Sequence, residues 1–141
     1  MICYAVIDTN VLVSALMSAN DDAATVRVFE KFTNGEIVPV YSNEITKEYK
    51  EVLNRKKFGF SPEVVAYTIS AIEKFGILVD PKSTGVVLPD MKDVPFYEVV
   101  LEKRDDNAYL VTGNIKHFPK EPFIVTPREL LDILDKTKNN L

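Results

Sequence analysis

The chain of 141 residues holds one cysteine, Cys3, and one histidine, His117. A single thiol leaves no internal disulfide, so the stapled frameworks of small secreted domains are excluded. Zinc sites built from Cys and His are excluded for the same reason. A Ser-His-Asp or Cys-His nucleophile would have to use His117 as its only base, which leaves that class poorly supported. Long apolar runs are also missing. None approaches the roughly 20 residues of a membrane span, and none follows a basic start of the signal-peptide kind. The expectation is a cytoplasmic protein with no membrane partner. Internal repeats, low-complexity tracts and linkers are absent too, so one domain over residues 1–141 is expected, long enough for a real core.

The remaining composition is that of a globular protein, 46% hydrophobic and 27% charged. A net charge of −4 argues against holding nucleic acid by overall attraction. It leaves room for local basic patches, and a cluster of acidic metal ligands would also produce it.

Ile2-Cys3-Tyr4-Ala5-Val6-Ile7 is an unbroken apolar run that ends in Asp8-Thr9-Asn10. A run this short and β-branched reads as a strand buried on both faces, with Cys3 an inert thiol inside it. Val11 to Met17 suits a helix that Thr9 or Asn10 could cap. Asp8 therefore stands where a buried strand stops and a helix begins, at the carboxyl edge where α/β sheets bind ligands.

Further along, residues 21–34 read as an amphipathic helix started by Asp21 or Asp22, and Asn34-Gly35 ends it. Ile37 to Tyr41 is a second strand, with Pro39 pointing to an edge or bulge. Ser42 or Asn43 opens a helix from Glu44 to about Lys57, and Ser61-Pro62 opens another that Gly76 ends. Ile77 to Val79 is a third strand, 80–92 a loop, and Asp93 to about Lys103 a helix. Strands at 107–112 and 123–126 and a helix from Pro127 to about Lys136 complete the chain. This alternation predicts an α/β fold, a three-layer α/β/α arrangement around a mostly parallel five-stranded sheet.

The acids can be ranked by helix phase. At 100° per residue, Glu48 lies about 85° from the centre of the Ile45/Tyr49/Val52/Leu53 stripe, against about 125° for Glu44 and 145° for Glu51. Glu48 is then on the border of core and solvent, one turn into its helix and able to lean toward Asp8. Asp93 stands at a helix start, with Asp90 three residues ahead and Glu98 within the helix. Thr112-Gly113-Asn114 closes the fourth strand, and Asn114 faces Asp8 if the first and fourth strands are neighbours. Carboxylates with an amide, and neither His nor Cys, form the all-oxygen set chosen by Mg²⁺ or Mn²⁺. His117, before Phe118-Pro119, reads as a loop residue. Arg55-Lys56-Lys57 and Lys116 could meet phosphates, although short basic runs are usually solvated surface.

Asp8-Thr9-Asn10-Val11 after an apolar strand resembles the opening motif of the PIN-domain nucleases. Ser42 to Leu53 is similar to their second acidic motif, in which the glutamate before Tyr49 is functional. Lys92 to Glu98, followed by Tyr109 to Asn114, resembles the third motif and the strand behind it. The match is closest to the VapC-like branch of toxin components of toxin–antitoxin systems and covers roughly residues 2–127. The resemblance implies a metal-dependent endoribonuclease in which Asp8, Glu48 and Asp93 are catalytic and hold Mg²⁺ or Mn²⁺. Thr9, Asn10 and Thr112 would support the site. Asn114 departs from the pattern, since many relatives carry aspartate at or near that position; Asn114 itself or Glu98 is then a candidate further ligand. The implied partners are an RNA substrate, a small antitoxin protein and a second copy in a homodimer. Two other readings stand beside this one. A catalytically degenerate PIN domain would bind RNA or protein without cutting. A phosphotransfer domain would be phosphorylated on Asp8, but Asn10 replaces the second aspartate of one such class and only Lys116 follows the fourth strand.

Overall fold

The computed structural model describes residues 2–139. Five strands are formed, β1 (Cys3–Ile7), β2 (Ile37–Tyr41), β3 (Ile77–Leu78), β4 (Tyr109–Val111) and β5 (Ile124–Val125). They make one sheet in the order β3-β2-β1-β4-β5, and every pairing is parallel. The helices among the described residues are α1 (Thr9–Met17), α2 (Ala24–Thr33), α3 (Asn43–Leu53), α4 (Pro62–Phe75), α5 (Val94–Glu102) and α6 (Pro127–Asn139). The fold is thus α/β, with a sheet that is wholly rather than mostly parallel.

β1 is central because both of its faces are covered. Ala5, Val6 and Ile7 are at most 1% exposed. Successive strand residues face opposite sides. Ile7 meets Val28 and Phe32 of α2 around a small apolar void, whereas Tyr4 lies under the Lys103 ammonium just past α5. Burial pushes the Cys3 thiol up to about 11, which keeps it protonated and inert. From β1 the chain steps outward through β2 to β3, then returns to the other side for β4 and β5. The switch falls between β1 and β4, whose carboxyl ends bound the crevice that such a reversal creates.

Several local expectations are corrected. Pro39 is not on an edge, because β2 pairs with both β1 and β3. The β2–β3 ladder begins at Val40↔Ile77, one residue past the proline, so its missing N–H falls where no partner strand has started. Gly76 precedes β3 because of crowding: a Cβ there would stand 2.4 Å from the Ile72 carbonyl oxygen and 2.6 Å from that of Pro39. α1 is capped by Asp8, whose carbonyl accepts from the Val11 N–H at 2.9 Å, rather than by Thr9 or Asn10. α2 starts at Ala24, because Asn20 first draws the Asp22 and Ala23 amides into a polar turn. α3 stops at Leu53, short of Lys57, where the Asn54 side chain donates to the Lys50 carbonyl at 2.7 Å. α6 runs to Asn139, past Lys136.

Candidate functional site

Asp8 leaves the end of β1 and is 5% exposed. Its side chain makes no cap bond to α1. It accepts instead from the Thr112 hydroxyl at 2.7 Å, across the β1–β4 pairing. Burial raises its pKa, and the Thr112 hydroxyl, the amides of Asn10 and Thr9 and the charge of His117 oppose the rise. A buried carboxylate that is neither paired with a base nor spent on a helix cap is unusual for a purely structural residue.

Glu48 sits half-buried on α3, between the buried stripe of Ile45, Tyr49 and Leu53 and the exposed Glu44 and Glu51. Two bonds fix it relative to Asp8. The Thr9 hydroxyl donates to its carboxylate, and the hydroxyl of neighbouring Tyr49 donates to the Ile7 carbonyl. Tyr49 is fully packed, with its ring against Phe96 of α5 at 6.1 Å. The tyrosine was legible only as a core residue. Its role as the tie between α3 and the end of β1 depends on a tertiary contact. Burial raises the Glu48 pKa, the Thr9 bond lowers it, and the charge of Asp8 raises it again.

Asp93 is the N-cap position of α5, reached through a single helical turn over Met91–Asp93. Asp90 caps that turn, accepting from the Lys92 N–H at 3.0 Å. The Asp93 carboxylate is therefore free of capping, and its Oδ2 is buried without a hydrogen-bond partner. The His117 imidazole approaches it, with Nδ1 3.5 Å from Oδ2 and without hydrogen-bond geometry, and makes an ion pair only when protonated. Burial and then the charges of Asp8 and Asp90 push the Asp93 pKa up to about 6, with His117 opposing. His117, expected to be a bystander in its loop, is thus brought to the site by the turn after β4.

Asp8, Glu48, Asp90 and Asp93 line one cleft of about 590 Å³, together with Thr9 and Asn10. Two expected members lie elsewhere. Asn114 lines a separate depression with Asn10, Ser14, Thr25 and Arg128, and its amide N–H donates to the Thr112 hydroxyl at 2.9 Å. Asn114 is not among the residues that line the acidic cleft. Glu98 is no part of the cleft either; it accepts from the Thr84 N–H and hydroxyl and anchors the loop before α5. Five residues after Asp93 turn the helix by about 140°, which carries Glu98 off the cleft face. Among the described residues, no three Asp, Glu, His or Cys side chains stand close enough together to enclose a metal ion as placed.

A family model described as the PIN domain matches residues 4–116, a span that runs from within β1 past β4 and contains all the acids of the cleft. The chain belongs to the PIN domain family. PIN domains are in general nucleases and typically bind divalent metal ions. Neither a curated protein nor a solved structure matches this PIN domain. No helix among its described residues is long and apolar enough to cross a membrane.

Proposed function

We propose that this PIN domain is a Mg²⁺- or Mn²⁺-dependent endoribonuclease whose metal ligands are Asp8, Glu48 and Asp93. One observation carries the reading: three carboxylates from three separate elements face one cleft, and one buried oxygen, Asp93 Oδ2, has no hydrogen-bond partner. Such an oxygen is costly to bury unless something coordinates it. The donor set is all oxygen, which suits a hard divalent cation. When bound, that ion would supply Lewis-acid chemistry, activating water for in-line attack on a phosphodiester and neutralising charge there. The protein's own part is positioning. Thr112 fixes one carboxylate oxygen of Asp8, Thr9 holds Glu48 toward it, and Tyr49 locks α3 to the strand end. The raised Asp93 pKa means that it takes up a proton below about pH 6 in the metal-free protein, so protons compete with the cation there.

The toxin role, with a small antitoxin as partner and a homodimer, is supported by the order and spacing of Asp8-Thr9-Asn10, Glu48-Tyr49 and Asp93 to Asn114, and a cytoplasmic setting by the single cysteine. The deciding experiment incubates RNA with wild type and Asp8→Asn in Mn²⁺. Cleavage is expected to be lost in the variant while its circular dichroism stays native. Equal rates would sink the assignment. The degenerate, binding-only reading draws on the position of Asn114, whose amide stands outside the acidic cleft and adds no charge there. Calorimetric titration with Mn²⁺ separates the two, because a site without catalytic metal shows no binding that depends on Asp8.

A further inference from the structure

The acidic cleft has a far end that the three carboxylates do not occupy. After α3 the chain turns through Lys56–Phe58 before α4, and the side chains of Arg55, Lys57 and Phe58 line the cleft alongside Glu51 and Val52. The turn is held by its own bonds, Phe58 N–H to the Arg55 carbonyl and Gly59 N–H to the Lys56 carbonyl, each 3.1 Å. Gly59 closes it at φ +67°, a left-handed conformation that glycine adopts without strain. Phe58 is half-buried. Phe60 backs its ring, with centroids 5.7 Å apart and planes 16° from parallel, and the Lys57 ammonium stands 5.1 Å from the Phe58 centroid. Arg55 pairs with Glu51 at 3.6 Å, both well exposed, an i,i+4 pair too weak to commit the guanidinium.

We propose that this turn docks an unpaired nucleotide of a single-stranded nucleic acid lying in the cleft, its base stacked on Phe58 and its phosphates met by Arg55 and Lys57. The inference deepens the nuclease reading and rests on the cleft being a nucleic-acid site. A polyanion gains nothing from a chain of net charge −4 and is repelled by the carboxylates, so its affinity has to come from cations placed locally. Lys47 and Lys92 flank the acids, and the turn adds two cations next to an aromatic ring. That pairing of a backbone-tracking charge with a stacking platform is how single strands are held without sequence readout. A duplex keeps its bases stacked inside and offers none to Phe58. Lys56, between the two cations in sequence, does not line the cleft and serves as the internal control.

The test is fluorescence anisotropy of a labelled ten-nucleotide RNA, the same sequence as DNA, and its RNA duplex, in EDTA so that no metal-dependent cleavage occurs. The wild-type chain is expected to prefer both single strands over the duplex. Phe58→Leu, which keeps an apolar side chain in place, should weaken single-strand binding about tenfold and leave duplex binding unchanged. Arg55→Gln with Lys57→Gln, both at exposed positions, should weaken it and flatten the log–log salt dependence by about 1.4. Lys56→Gln should change affinity less than twofold. Thermal melting checks that Phe58→Leu is folded, and the double glutamine variant carries the test if it is not. The proposal is overturned by no wild-type binding, by equal affinity for duplex and single strand, or by Lys56→Gln losing as much affinity as the double glutamine variant. Binding that behaves as expected in a protein that never cuts RNA in Mn²⁺ would instead overturn the nuclease reading alone.

Discussion

The two depressions beside the end of β1 share Asn10 and almost nothing else. On one side, Asp8, Glu48, Asp90 and Asp93 face a cleft in which burial raises the pKa of Asp8, Glu48 and Asp93, and neighbouring carboxylates add to the rise at Glu48 and Asp93. On the other, Ser14, Thr25, Asn114 and Arg128 line a hollow without a single carboxylate. The same sheet edge thus separates a region where acids outnumber the four cations beside them from one where polar groups are neutral or basic. Thr112 stands between them, donating to Asp8 and accepting from the Asn114 amide. The difference shows that a strand end does not make a site by itself. The acids matter because α3 and α5 bring more of them to the same flank, against the electrostatic cost of crowding like charges.

The largest effect expected from this contrast is on catalysis. Glu48→Gln should lower RNA cleavage in Mn²⁺ by about 100-fold or more, whereas Asn114→Ala should stay within about threefold, read from initial rates at saturating metal. Comparable losses in both would erase the distinction between the flanks. Next comes the shared residue. Thr112→Val removes the hydroxyl that orients Asp8, and Mn²⁺ affinity by calorimetry should fall roughly tenfold. Because the Asn114 amide loses its acceptor as well, the melting temperature should drop by an amount corresponding to about 1–2 kcal/mol.

A smaller effect concerns metal-free stability. The folded pKa of Asp93 is raised from 3.8 to about 6, so the native state binds its proton more tightly than the unfolded chain. Its contribution is fully present below about pH 4 and is lost as pH rises through 6. Asp93→Asn should therefore stabilise the protein in EDTA at pH 7.5 by about 1–2 kcal/mol and change little at pH 4, as measured by chemical denaturation. Excess Mn²⁺ should reverse the ranking at pH 7.5, because only the wild type gains fully from the ion. The smallest effect is assigned to Glu98→Gln, a loss of about 1 kcal/mol from the Thr84 contacts with cleavage unaltered. A loss of metal affinity in that variant would restore Glu98 as a ligand.

Asp8 and Glu48 were legible for a simple reason. A buried strand has a readable end, and a helix has a readable phase, so a carboxylate at either place can be assigned a direction before any contact is known. Asp93 was legible as a helix start, but the feature that marks it, a buried oxygen without a partner, is visible only in the folded chain. Glu98 reads in the sequence as a source of the charge that Asn114 lacks, and its bonds to Thr84 outside the cleft depend on a loop contact that its own helix does not encode. Pro39 was misread because an edge position is a property of strand order, and strand order is decided by chain segments far from the proline.

By itself, the sequence determined the alternation of strands and helices, the acid at the end of the first strand, and the face on which Glu48 would lie. All of these are periodic or local and follow from residues within a few positions of one another. Only the tertiary structure decided that β1 lies beside β4, that Tyr49 bonds the Ile7 carbonyl, that His117 approaches Asp93, and that Asn114 lines a neighbouring hollow while Arg55, Lys57 and Phe58 extend the acidic cleft. Those contacts join residues up to about a hundred positions apart, and no local preference encodes them. They are chosen by the packing of the whole sheet and its helices.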